Sequence, residues 1–421
     1  MYYRVFSLNI IKTLAIVFAA VFLIACSSKE GKGKKKESSG NESSSLFPVI
    51  QNGKCGYIDK SGKIVIDPQF DYAYDFSEGL AKVKIGDKYG YIDKSGKIVI
   101  NPQFDEARSF TEGLAAVMVG DKWGYIDKNG RMIVNPQFDM AMDFSEGLAA
   151  VNKDEKWGYV DKYGNIVVSP KFELAINFSQ GLAGVQYSGK IGYINKVGEF
   201  VIKPQFEWLE NFSEDLLLVR ENGKFGYVDK TGKFVIEPQY DWAKYFTEGL
   251  ARVKVSDKWG FIDKKGKFVI NPQFDDAGDF SEGLAPVKID GKWGYIDKNG
   301  NIVISPQFDE VDCFIDGIAL VKIGNKYVYV NKLGKLINNL KFDWAERFSD
   351  ELARVKVGGK WGYINKKGEI VIKPIYDSAD DFSKGLASVS ITYSGQLKCG
   401  YINKTGKFVW GPEDCYVIEC F

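Results

Sequence analysis

The sequence predicts an all-β protein of tandem 34-residue units, each offering about three short antiparallel strands, stacked as an open superhelical β-array. Three observations lead there. The nonapeptide KWGYIDKNG at 122–130 returns letter for letter at 292–300, five periods of 34 residues further on. Glycines fall at fixed slots of each unit and a proline recurs from Pro68 to Pro306 and again at Pro374, each costly inside a helix. That excludes the paired helices that share this period. Finally, β-prone runs flank turn residues, as in GYIDKSGKIVI at 90–100, the signature of a hairpin. The 14% aromatic content and 45 glycines suit strands joined by tight turns.

Taken in order, residues 1–25 read as a leader: Arg4 and Lys12 precede an apolar run that ends in small residues. The tetrad Leu23, Ile24, Ala25, Cys26 resembles a bacterial lipobox. That resemblance implies that Cys26 becomes the lipidated first residue and that the chain meets a membrane through this anchor. Residues 26–45 follow as a Ser, Gly and Lys mixture that cannot bury enough apolar surface to fold. Such a tether holds the folded body roughly 25 Å from the bilayer.

From 46 to 421 the chain is one array of eleven units, the last atypical. Its anchor glycine runs from Gly56 to Gly294 in steps of 34, is replaced by Val328, resumes at Gly362 and ends at Gly400 after a four-residue insertion. Each unit has a strand such as GLAAVMV, a turn at Gly120–Lys122, and a hairpin whose glycine, Gly62 to Gly406, sits where a left-handed residue is needed. A proline-started connector, NPQFDEARSFTE, completes the unit. Phe76 and its nine equivalents, and Val83 and its nine, never vary between copies and are core positions. A single unit has too few interior contacts to offset the entropy of ordering it, so neighbours must share faces. Eleven units exceed one ordinary propeller, and nothing breaks the period between two rings. The open array is therefore expected, with two propeller-like rings as the alternative.

The Lys-Trp-Gly-Tyr, Asp-Lys-x-Gly, Pro-x-Phe-Asp and Phe-Ser-Glu-Gly-Leu-Ala elements resemble the WG (KWG) repeat of bacterial proteins, over essentially the whole of 46–421. The Trp itself is replaced by Cys55, Tyr89, Ile191, Phe225, Tyr327 and Cys399. The resemblance implies a β-repeat array on exported or lipid-anchored proteins, with interaction roles and no catalytic residues to carry over.

Charge is dense and balanced, 56 Lys plus Arg against 55 Asp plus Glu, and histidine is absent. No net field draws nucleic acid. The commonest general base and zinc ligand are missing, which counts against enzyme chemistry; no metal and no cofactor are expected.

Candidate sites lie where copies differ. Trp123, Trp157, Trp259, Trp293 and Trp361 share a slot that Ile or Cys can fill, so they read as filling between units and not as sugar platforms. The slot after the PQFD acid varies freely and holds Tyr72, Trp208, Trp242 and Trp344; these exposed aromatics are the expected ligand contacts. The acidic ladder from Asp71 to Asp377 reads as turn or connector caps, having neither the oxygen cluster of a calcium loop nor the two distinctive carboxylates of a glycosidase. Asp59, Asp93 and Asp127 read as turn formers. Beyond Cys26, five cysteines remain, and a disulfide among Cys399, Cys415 and Cys420 would staple the final unit. Cys55 and Cys399 share the Trp slot of the first and last copies. The functional expectation is a non-catalytic, lipid-anchored repeat protein at the outer membrane or cell surface, binding protein or glycan. A purely structural spacer and a carboxylate-dependent hydrolase are the alternatives.

Overall fold

The computed structural model describes residues 45–415 apart from 209 and 211. The expected leader, Cys26, the tether up to residue 44, and Cys420 lie outside these residues. The described chain forms eleven antiparallel sheets, here called blades 1 to 11. In blade 4 the strands are Met140–Ala141, Leu148–Lys153, Lys156–Asp161 and Ile166–Phe172, each paired with the one that follows it in sequence.

The unit thus has a fourth strand beyond the three expected. Part of the supposed connector is also strand: Ile98–Phe104 continues straight through Pro102. That strand is the last of its sheet, and an edge position tolerates a residue without an N–H. The pairing is irregular there, with register shifts in every regular blade, as between Tyr125 and Trp123 opposite the strand Met132–Phe138.

This irregular strand explains the glycine of the motif. A Cβ on Gly158 would overlap the Val168 carbonyl and lie 2.7 Å from the Pro170 nitrogen. Gly56 meets Ile66 and Pro68 in the same way. The glycine is there for close approach of backbone to backbone. Blade 9 is the natural counter-example: Val328 fills the slot, and the fourth strand is reduced to isolated bridges, Tyr327 with Phe342 and Val330 with Leu336. The hairpin glycines have the other role, with positive φ from Gly62 (87°) to Gly406 (80°). The first turn of blade 1, Asn52–Gly53, has φ of 52° and 74°, the two left-handed residues of a type I′ hairpin.

Each blade packs one face on the next. A buried cluster of Tyr125, Val134 and Phe138 from blade 3 meets Ala141, Phe144 and Val151 from blade 4. The invariant Phe and Val slots form this core, as expected: Phe110 and Val117 are 1% and 0% exposed. The motif tyrosine spans the interface. Tyr125 Oη donates to the Met142 carbonyl at 2.7 Å, and its ring meets Phe144 edge-on at 4.9 Å.

The open array is not what forms; the chain closes into a single ring, an eleven-bladed β-propeller. At the junction of blades 11 and 1 the motif tyrosine again crosses the interface, here to the first strand of blade 1 and not to the invariant phenylalanine and the carbonyl two residues before it that Tyr91 meets. Tyr401 Oη donates to the Pro48 carbonyl at 3.1 Å, and its ring lies 6.0 Å from Phe47. Gly62 abuts Val409 as Gly96 abuts Ile66 and Gly406 abuts Ile372. Phe47, Val49, Ile58 and Leu386 share one buried cluster. Among the described residues no strand is exchanged at this seam: the three strands of blade 1 (Phe47–Gln51, Lys54–Ile58, Ile64–Phe70) and the four of blade 11 each pair in sequence order. The propeller-like alternative is therefore the one that forms, as one ring and not two, because the small turn at each interface adds up to one closure after eleven blades and none before.

The last blade carries a Cys399–Cys415 disulfide with Cα atoms 5.1 Å apart, as anticipated for the terminal unit. Cys55 is also disulfide-bonded. Cys313 is buried, 4% exposed.

Candidate functional site

The carboxylates account for much of the blade-to-blade geometry. Asp139, at the junction of blades 3 and 4, accepts from the Lys122 ammonium on one oxygen and from the Asp154 N–H at 2.8 Å on the other. Asp71 does the same with Lys54 at 2.5 Å and the Gly86 N–H at 2.7 Å. The acidic ladder is therefore a set of clasps that tie a lysine of one blade to a turn of the next, in keeping with the capping role expected for it. The Lys122 contact holds the Asp139 carboxyl below its ordinary value. Asp127 caps its own hairpin, accepting from the Asn129 and Arg131 N–H groups at 2.9 Å.

A second ladder escaped sequence reading. Glu112 of the TEGL segment, at φ 51°, accepts from the N–H groups of Glu146 (2.8 Å) and Gly147 (2.9 Å) and pairs with Lys162 at 3.1 Å. Burial raises its pKa, but these donors outweigh it and the net shift is downward. The recurrence of Glu before Gly-Leu at 78, 112, 146, 248 and 282 was the available signal.

With these roles assigned, the varying slots stand apart. Trp242 and Trp344 are 41% and 47% exposed. Tyr72 and Trp208 are half-buried, less open than expected. Antiparallel register places three of the candidates, Tyr72, Trp242 and Trp344, opposite a cation, and that cation opposite a second ring. Trp344 pairs with Lys356, and Lys356 with Trp361. Trp242, Lys254 and Trp259 repeat this, as do Tyr72, Lys84 and Tyr89. Trp208 follows Glu207, whose N–H donates to the Arg220 carbonyl, and Arg220 pairs with Phe225. Residues directly opposed in a sheet share a face, so each trio is an aromatic, a cation and an aromatic in a row.

The cations lie against the rings. Lys356 Nζ is 5.4 Å from the Trp361 centroid, Lys84 Nζ is 5.5 Å from Tyr72 and 5.2 Å from Tyr89, and Arg220 is 5.6 Å from Phe225. Contacts of this kind favour a cation over the ring face. The rows also join across blades. Phe225 of blade 6 meets Trp242 of blade 7 at 5.1 Å, and Tyr327 of blade 9 meets Trp344 of blade 10 at 5.1 Å. In blade 10 the row opens into a cavity of about 520 Å³ lined by Trp344, Glu346, Arg354, Lys356 and Trp361. Trp344 Nε1 donates to Glu346 at 2.8 Å there.

The same slots are neutral in blades 4 and 5, where Met140, Asn152 and Trp157 stand in one row and Leu174, Gln186 and Ile191 in the next. Blade 3 has Met118 in the central slot, with Arg108 reaching Trp123 at 5.5 Å. The Trp slot itself is partly or wholly buried, Trp293 to 4% exposure, and packs on the interface clusters as expected.

Beneath the row lies a buried ion pair. Arg252 Nε donates to Asp279 Oδ1 at 2.7 Å, and Nη1 donates to the Ala277 carbonyl. Their side chains are 9% and 3% exposed, and burial pushes the Asp279 carboxyl up against the pull of Arg252. Arg354 and Asp381 repeat the contact at 2.9 Å in a more open setting, with Asp381 half exposed. Where blade 3 has Ala116 in the arginine slot, Asp143 Oδ1 of blade 4 is buried without a hydrogen-bond partner. Among the described residues no group of three or more Cys, Asp or Glu is placed to hold a metal ion.

The family model described as WG containing repeat matches ten consecutive segments: 56–89, 89–123, 123–157, 157–190, 191–225, 225–259, 259–293, 293–327, 329–361 and 361–392. No curated protein matches the chain. Among solved structures, the chain is similar to a eukaryotic initiation factor at 12% identity, over 71% of this chain and 96% of that one, with a TM-score of 0.39. It is similar to Hsv2p of Kluyveromyces lactis at 11% identity, over 60% and 94%, with a TM-score of 0.28. The extracellular domain of a putative one-component system from B. thetaiotaomicron aligns at 10% identity, over 87% and 63%, with a TM-score of 0.27.

Proposed function

Because the chain belongs to the WG-containing repeat family, we propose that it is a non-catalytic ring of the cell envelope that binds a protein or glycan ligand on its aromatic rows. The observation that carries this reading is the placement of the varying aromatics. Tyr72, Trp242 and Trp344 each face a cation and a second ring across the sheet, while the invariant residues are taken up by the interfaces. Aromatic anchors beside a cation are the residue types that dominate binding energy at interfaces. Cys26 is the anchor in this reading: lipidation there, followed by the tether, holds the ring at the outer membrane or cell surface.

Two experiments test it. Pull-down and glycan-array binding by the full chain are compared with a Trp208→Ala, Trp242→Ala, Trp344→Ala variant. Loss of the captured ligand is expected, and unchanged binding removes these residues and leaves a structural spacer. Metabolic labelling with palmitate, with Cys26→Ala as the control, is expected to mark the parent only. Equal labelling of both would remove the anchor.

A further inference from the structure

The varying slots hold a charge pattern beyond the exposed aromatics. From blade 6 to blade 10 the central slot is a cation in every copy, Arg220, Lys254, Lys288, Lys322 and Lys356, at steps of 34 residues. In each of these blades the next strand places an aromatic directly opposite it: Phe225, Trp259, Trp293, Tyr327 and Trp361. The other central slots hold Ile50, Met118, Asn152, Gln186 and Ser390, and only Lys84 in blade 2 is charged. Five consecutive blades therefore share one arc of alternating cations and rings, and the ring of blades has a basic, aromatic side.

Several of these cations have spare capacity. Lys288 and Lys356 make no ion pair among the described residues. Lys254 reaches only Asp257, itself 97% exposed, at 3.2 Å. Arg220 Nε is buried without a hydrogen-bond partner, and the nearest carboxylate, Glu207, is 4.0 Å away. Only Lys322 is held closely, by Glu310 at 2.6 Å.

Resting on the binding role proposed above, we infer that the ligand is an acidic polysaccharide lying along blades 6 to 10. The arc repeats one cation per blade, which fits a polymer with a charge on each repeat and not a single small anion. The exposed Trp242 and Trp344, with the partly exposed Trp259, Tyr327 and Trp361, match the apolar faces of sugar rings, while Phe225 and Trp293 are buried at the blade interfaces and back the cations from beneath. The lining is mixed in sign: Asp276 and Glu310 occupy the first slot of blades 8 and 9, and Glu346 lines the blade 10 cavity. Such carboxylates accept hydrogen bonds from sugar hydroxyls but repel the closely spaced phosphates of a nucleic acid. A uronate polymer offers both the carboxylate for the lysines and the hydroxyls for the acids.

The test is direct binding of the full chain, solubilised in detergent, to polygalacturonate, with amylose, polyglutamate and single-stranded DNA as the comparison probes. Polygalacturonate is expected to bind, and to bind several-fold more weakly at about 0.5 M salt, where exposed pairs are screened. A Lys254→Gln, Lys288→Gln, Lys356→Gln triple variant is expected to lose about tenfold or more. A Lys97→Gln, Lys233→Gln, Lys267→Gln triple, on exposed hairpins away from the arc, is expected to bind like the parent. Thermal melting of both triples confirms that each is folded. Binding of amylose equal to polygalacturonate, or an arc triple that binds as the parent does, overturns the acidic readout while leaving a glycan-binding ring. Tighter binding of polyglutamate or DNA overturns the polysaccharide and keeps only the arc. If no probe binds but the aromatic variant still loses its captured protein, this inference falls and the binding role stands.

Discussion

Replacing Phe47 with Ala tests the seam of the ring. Phe47 is 8% exposed, clustered with Val49, Ile58 and Leu386, and its ring lies 6.0 Å from that of Tyr401. Leu386 and Tyr401 belong to blade 11, more than 330 residues away in sequence. Truncating a buried Phe removes its transfer energy and leaves a cavity, together about 3 to 5 kcal/mol. A Tyr401→Phe variant removes only the 3.1 Å bond to the Pro48 carbonyl, about 1 kcal/mol. If the chain were an open array, Phe47 would lie on a solvent-facing end and its loss would cost less than about 0.5 kcal/mol. Urea unfolding followed by circular dichroism measures the difference, and small-angle scattering on the same samples measures the radius of gyration. The Phe47→Ala chain is expected to unfold at clearly lower urea or, if only the seam opens, to keep its midpoint and expand. A variant indistinguishable from the parent in both quantities refutes closure.

Gly124→Val should copy the defect of blade 9 into blade 3, because its side chain would overlap the Val134 carbonyl and crowd Pro136; a loss of about 1 to 3 kcal/mol is expected, with hydrogen exchange quickening along 132–138, and native-like protection there would refute the close-approach reading. Arg252→Met leaves Asp279 buried without its partner and should cost about 3 to 5 kcal/mol, whereas the Arg252→Met, Asp279→Leu double variant should recover most of it; equal melting temperatures for the two would contradict the pairing. Acid stability follows from the ladders. The Lys54 and Lys122 contacts hold Asp71 and Asp139 below the ordinary carboxylate value. Such groups contribute stability that is present above the unfolded pKa of about 4 and lost as pH falls through the folded one. With no histidine to titrate between pH 5 and 8, the melting temperature should stay level from pH 7 to about 5 and drop below about 4; a decline that begins near pH 6 would show that other groups control it.

Local chemistry was legible in the sequence and long-range geometry was not. The hairpins were read correctly because Gly62 to Gly406 and Asp59 to Asp127 act within a few residues of themselves. The core was read correctly because Phe and Val at a fixed slot have one use. The ring was missed because closure depends on the rotation from each blade to the next, and that angle arises from many contacts together: Tyr125 with Phe144, Asp139 with Lys122, Glu112 with Gly147. No residue states the angle, and the last blade adds to the difficulty by arriving after a 38-residue step. The strand through Pro102 was missed because proline argues against a central strand, whereas the last strand of each blade has a free edge. At the candidate site the sequence singled out Tyr72, Trp208, Trp242 and Trp344 as a varying slot, but not the cation and ring opposite three of them, since strand register decides which positions face one another.

The closed ring changes what variation among the copies can do. Interface residues occupy one set of slots: the motif tyrosine, the invariant phenylalanine and the two carboxylate ladders. The first two slots of each row occupy another, and blade 5 builds the same four-stranded sheet on Leu174 and Gln186 that blade 10 builds on Trp344 and Lys356. Those side chains can therefore change without altering the angle between blades, whereas the third slot, Ile191 or Trp361, packs on the interface clusters. In an open array a run of five cationic, aromatic units would be one stretch of a long strip. Closure bends that stretch into an arc that adjoins the neutral blades 4 and 5 and fixes both of its ends, since blades 6 and 10 cannot move apart while the Tyr401 and Phe47 contact holds. A flexible polymer binding along the arc then meets groups already in position, and the ordering cost falls on the ligand alone.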